Sequence, residues 1–117
     1  MAVSKQTSFE VEGVPDDLLM AMVQALGDMR CYRFNRDGLT VTARTPINWR
    51  SVGEVMTVRL SPAGGARTLV EVASHSTLRT VIFDWGKNNY NLQRFEAVFR
   101  ARVADQLKAA ETQGKVE

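Results

Sequence analysis

Hydrophobic and polar residues alternate in five short stretches of this chain and recur at helical spacing in two. In "SFEVEG", Phe9 and Val11 fall on one side and Glu10 and Glu12 on the other, the pattern of a half-buried strand. Pro15 then stands where a first helical position belongs, with Asp16 and Asp17 in the first turn, where the helix dipole favours acids. Leu18, Leu19, Met22, Val23, Leu26 and Met29 follow at helical spacing, which predicts a helix over Pro15 to Met29. Asp37-Gly38 separates two alternating runs and predicts a hairpin, with Tyr32 and Phe34 facing the core from one strand and Leu39, Val41 and Ala43 from the next.

Pro46 ends that second run, and "PINWRS" reads as a loop. Alternation resumes with Met56, Val58 and Leu60 inward, "PAGGA" turns the chain, and Val70 and Val72 point inward on the return. "TLRTVIF" is an apolar, partly extended crossing. From there to about Thr112 the chain reads as one long helix, with Trp85, Leu92, Phe95, Phe99, Val103 and Leu107 in a stripe. Burying those six side chains is worth on the order of 10 kcal/mol gross. The tail "QGKVE" is expected to fray.

The resulting order is β-α-β-β-β-β-α in a single α+β domain over residues 1–117. Hairpins make strands two to five an antiparallel meander, and the first strand fits beside the fifth. The expected sheet order is 1-5-4-3-2, with both helices on one face. Arg30, Arg33 and Arg36 along the second strand read as charges guarding an edge.

Composition changes this picture little. The chain has 117 residues, 44% hydrophobic and 24% charged, with a net charge of +2 and no basic run. A scattered charge of that size does not mark an electrostatic footprint. One Cys and one His, Cys31 and His75, exclude an internal disulfide and leave too few soft ligands for a zinc site. No metal or cofactor is expected. The first ten residues have no apolar signal core, and no apolar run reaches the roughly 18 residues of a membrane span, so a cytoplasmic location is expected.

Three stretches offer candidate chemistry. "DWGKNNYN" places Asp84, Trp85, Gly86, Lys87 and Asn88 at the start of the long helix. Asp84 reads as an N-cap, Trp85 as packing under the first turn, and Gly86 as allowing close approach to the sheet. An anion site at the helix N-terminus is the functional alternative. "NWRSVGE" puts Trp49 and Arg50 on a loop, Gly53 at a bulge and Glu54 on the next strand; Trp49 covers the core or anchors a partner. "SHS" around His75 is no Ser-His pair, because alternation sends Ser74 and Ser76 to the opposite side from the imidazole. Cys31 and His75 lie on strands too far apart to act together.

The open sheet face holds Arg33, Thr40, Thr42, Arg44, Val55, Thr57, Arg59, Leu69, Glu71 and His75. Its bland reading is a solvated face. Its functional reading is docking of a protein partner or a second copy through Arg33, Arg44, Trp49, Arg50, Arg59 and His75. The strands offer no aromatic platform on that side, which disfavours nucleic acid. A second functional reading is carriage of a small apolar ligand between the last helix and the sheet. In it, Met20, Met22, Met29 and Met56 line the pocket. No titratable pair converges in the sequence, and the expectation is a binding module rather than an enzyme.

The pieces Trp49-x-Ser51-x-Gly53-Glu54 and Asp84-Trp85-Gly86-Lys87-Asn88 together resemble an uncharacterised family of small bacterial proteins carrying both motifs at similar separation. That resemblance covers about the second half of the chain and implies no catalytic residue. The element order is similar to one repeat of the TATA-binding-protein-like folds, a likeness of architecture alone.

Overall fold

In the computed structural model, residues 4–46, 53–76 and 87–115 are described. The chain runs β1 (Ser4–Glu12), α1 (Pro15–Asp28), β2 (Tyr32–Asp37), β3 (Thr40–Arg44), β4 (Glu54–Pro62), β5 (Arg67–Ser76) and α2 (Lys87–Lys115). The strands form one antiparallel sheet in the order β1-β5-β4-β3-β2, as the hairpin argument requires. Both helices lie on one face: α2 packs on β1 and β5, while α1 packs on β4 and against α2.

One core fills the space between the layers. Val11, Val41, Ala43, Met56, Val58, Leu60, Val70 and Val72 come from the strands, and Leu18, Ala21, Met22, Ala25 and Leu26 from α1. Helix α2 adds Leu92, Phe95, Phe99 and Val103. Phe95 and Phe99 stack at 5.4 Å between ring centroids, and Phe9 leans on Phe99 at 6.1 Å. The Arg100 guanidinium lies 4.8 Å over the Phe9 ring and is also paired with Glu96 one turn back.

The helix layer is tied across its outer side by Arg102 of α2, which donates twice to the Asp28 carboxylate at the end of α1, at 2.9 and 2.8 Å. The hydrogen bonds from Arg102 hold the Asp28 carboxyl below its ordinary value; partial desolvation opposes them, and the charges of Arg102 and Arg94 add to the lowering. The folded-state value is the lower one, so this contribution is complete above about pH 4 and is lost as pH falls through the folded value. Asp28→Asn is therefore expected to flatten the acid limb of a melting-temperature profile below about pH 4. An unchanged acid limb contradicts the tie.

Several sequence expectations need correction. Tyr32 and Phe34 do not face the core; they are 38% and 45% exposed. The β2–β3 register shifts between Tyr32 and Asn35, and Arg33 in that interval has a φ of 56°, so strict alternation fails there. Tyr32 pairs with Arg44 and so shares the outer face, which therefore carries an aromatic after all. Met20 is 64% exposed and stands outside the core. Leu107 is 45% exposed, out of line with the buried part of its stripe. Arg30 lies before β2 rather than on it, with a left-handed φ of 62°. Helix α2 also extends to Lys115, three residues past the expected end. None of the helices among the described residues is long and apolar enough to cross a membrane.

Candidate functional site

The polar exception to this core sits beneath the first turns of α2. Gly53 has a φ of 96°, a left-handed conformation that suits glycine, and it delivers the chain into β4. From Glu54 onward the strand alternates, and Glu54, Met56, Val58 and Leu60 all point to the helices. The carboxylate that opens this series is thus on the core side, 3% exposed. On β5, Ser74 and Ser76 share phase with Val70 and Val72 and are buried too. Glu54 and Ser76 are register partners, as are Met56 and Ser74.

Thr45, just past β3, closes one side. Its amide donates to the Glu54 carbonyl at 2.9 Å, and its hydroxyl accepts from the Glu54 amide at 2.8 Å and donates to Oε1 of the Glu54 side chain at 3.0 Å. Asn91 of α2 closes the top. Its amide nitrogen donates to the same Oε1 at 2.8 Å and to the Ser74 hydroxyl at 3.2 Å. The helix is therefore attached to two neighbouring strands by one amide group. Among the described residues, no fully buried side-chain nitrogen or oxygen lacks a partner, as a native interior demands.

A groove of about 270 Å³ opens beside the cluster on the β1 side, lined by Lys5, Gln6, Thr7, Leu92, Gln93 and Glu96. Lys5 is the register partner of Ser74, so the groove floor lies one strand away from the Asn91 contact. Chemically, the cluster presents a buried carboxylate held in one orientation by a hydroxyl and an amide.

The residues singled out in the sequence are spread over several places. Arg44, Val55 and His75 form one cross-strand row on the outer face, which Tyr32 extends; Thr40, Arg59, Glu71 and Ser8 form a second. Around the second row lies a depression of about 440 Å³ lined by residues including Gln6, Ser8, Thr57, Arg59 and Glu71. Arg33 sits in the irregular part of the edge strand, outside both rows. Trp49, Arg50, Asp84, Trp85 and Gly86 lie outside the described residues; the backbone of Asn88 is in the first turn of α2 and its side chain lies outside them. Of the site residues named in advance, Glu54 enters the buried cluster and Gly53 directly precedes it. Thr45, Ser74 and Asn91 were not read as site residues. Their signal was present: Asn91 is four residues before Phe95 on the buried stripe, and Ser74 is in phase with Val72.

Cys31 is buried, and that burial pushes its thiol up to about 11, so it is a poor nucleophile at neutral pH. It precedes β2, whereas His75 is on β5 with two strands between.

No family model matches this chain, and no curated protein does. Among solved structures it is similar to the Zhui aromatase/cyclase of a Streptomyces strain, at 12% identity and a TM-score of 0.43, covering all of this chain and 97% of that one. That protein is an enzyme. The expectation that the present chain is a non-enzymatic module stands against that likeness and is not carried forward, and nothing about this chain's own activity is taken from so distant a structure.

Proposed function

We propose that this domain binds a small molecule with an apolar body in the groove between β1 and the first turns of α2, with its polar end toward the Thr45–Glu54–Ser74–Asn91 cluster. The observation that supports the reading is the buried Glu54 carboxylate. Leu92, Phe95, Phe99 and Val103 already hold α2 to the sheet. Burying an ionisable group costs several kcal/mol before its partners offset it, and apolar side chains of similar volume hold two layers together as well or better. A fixed polar group at the edge of an apolar interior is what a ligand site needs to orient its occupant. The sequence expectation of a small-ligand carrier is retained, with the polar cluster replacing the four methionines as its defining feature.

Native mass spectrometry of freshly purified protein tests this. The expected result is a bound small molecule, lost in a Glu54→Met/Asn91→Leu variant. A bare mass for the wild-type protein, with no thermal stabilisation by short-chain alcohols, amines or acids, contradicts it. Re-incubating the released molecule with excess protein and weighing it again distinguishes carriage from chemical conversion.

The outer face supports a second reading, docking of a protein partner or a second copy, on the strength of the depression around Arg59 and the row through Arg44. Arg44→Glu/Arg59→Glu is expected to change stability by no more than about 1 kcal/mol, since both side chains are exposed. It is also expected to abolish association in sedimentation velocity. A wild-type monomer at all concentrations, with nothing co-purifying, removes this reading.

A further inference from the structure

The sheet face turned away from the helices divides its charge by strand. Alternation and register put Glu10 and Glu12 of β1 on this face together with Arg67 and Glu71 of β5. Arg59 of β4 and Arg44 of β3 share it. All six are exposed. The β1–β5 half thus carries more acids than bases, whereas the β4–β3 half carries two bases and no acid. Arg67 is already paired with Glu10 at 3.3 Å. The side chains of Arg44, Arg59 and Glu71 make no ion pair or hydrogen bond with any described residue.

Arg59 and Glu71 are register partners on neighbouring strands, so their Cβ atoms lie about 5 Å apart, yet they are not joined. Both border the depression of about 440 Å³, which is also lined by the smaller Thr57 and Ala73. That depression leaves room for a long side chain to lie flat against the sheet.

Such a face is complementary to itself in one orientation. A two-fold axis running across the strands would lay the basic half on the basic half and the acidic half on the acidic half. An axis parallel to the strands exchanges the halves. Placed between β4 and β5, it sets Arg59 over the partner's Glu71 and Glu71 over the partner's Arg59, and β1 over the partner's β3. The four charges then form a closed, neutral network, which is worth more than an isolated exposed pair. Four strands about 4.8 Å apart, overlapping along about 25 Å, cover about 500 Å² on each copy, or about 1,000 Å² in all, the lower bound for a specific association.

We propose that two copies of this chain associate through these faces about a two-fold axis parallel to the strands, with Arg59 of each on Glu71 of the other. This rests on the docking reading above, for which it names the occupant, and it is independent of the ligand site. Arg44 falls at the rim of the contact, over the partner's Ser4, so its charge contributes less than that of Arg59.

Charge reversal tests the contact. Arg59→Glu leaves a chain with two acids at these positions, and Glu71→Arg leaves one with two bases. Each variant therefore repels its own copies, while the two attract one another. In sedimentation velocity at about 0.1 M salt, the wild-type protein is expected to dimerise reversibly. Each variant alone is expected to dimerise at least about tenfold more weakly, and an equimolar mixture of the two to recover the dimer. Melting temperatures close to wild type for both variants separate this outcome from a loss of fold. A wild-type dimer with either variant associating equally well, or with a mixture that does not recover, overturns the assigned contact and leaves the docking reading standing. A wild-type protein that stays monomeric up to about 0.5 mM overturns the inference; if nothing co-purifies with it, the docking reading falls as well.

Discussion

Phe95→Ala is expected to cost about 3–5 kcal/mol, the range for removing a large aromatic from a closed interior. Its ring is fully buried, stacks on Phe99 at 5.4 Å and sits midway along the contact of α2 with β1 and β5. A domain of this size has only about 5–15 kcal/mol of total stability, so the variant should melt on the order of 10–20 °C lower or fail to fold at 25 °C. Urea titration gives the free energy directly; the milder Phe95→Leu keeps the measurement possible if the alanine variant does not fold. A loss below about 1 kcal/mol for Phe95→Ala would mean that α2 does not bear on the sheet as described.

The second large effect is a coupling. Asn91→Leu removes the amide from the Glu54 carboxylate and leaves that carboxylate buried with one fewer donor, an expected loss of about 2–4 kcal/mol. Glu54→Met strands two buried donors, the Asn91 N–H and the Thr45 hydroxyl, for an expected loss of about 1–3 kcal/mol. The double variant removes both members of the central contact. Its stability is expected within about 1 kcal/mol of wild type, an interaction energy of at least about 2 kcal/mol in the double-mutant cycle. Additive losses would show that the two side chains act separately and that the cluster is not a unit.

Most of the architecture was legible before any coordinates, and the reasons are local. Asp37-Gly38 marks a turn whose glycine indeed has a φ of 62°, and the alternation of Met56, Val58 and Leu60 against Val70 and Val72 fixes which side faces the helices. The edge strand defeated the same argument because one left-handed residue, Arg33, breaks the two-residue period and sends Tyr32 outward. Nothing in the residue types around it announces that conformation.

The site was legible only in part, for a different reason. Reading Glu54, Ser74 and Ser76 by phase alone puts all three inside, but a polar residue in phase with a core set is ordinarily discounted as a strand end near solvent. What makes them a site is that Asn91 reaches down to Glu54 and Ser74 together, and that depends on the register of β4 against β5 and on the rotation of α2. Those quantities come from tertiary packing. The sequence emphasis on Arg44, Arg59 and His75 followed from exposure, which is easier to read than convergence.

Native mass spectrometry of the wild-type protein beside Glu54→Met/Asn91→Leu tests the central claim most directly, because the double variant keeps the fold and removes the polar end of the site. The account predicts a small-molecule adduct on the wild type that is absent from a double variant of nearly equal melting temperature. An adduct retained by the double variant, or a wild-type protein that carries nothing and is stabilised by no short-chain alcohol, amine or acid, contradicts it.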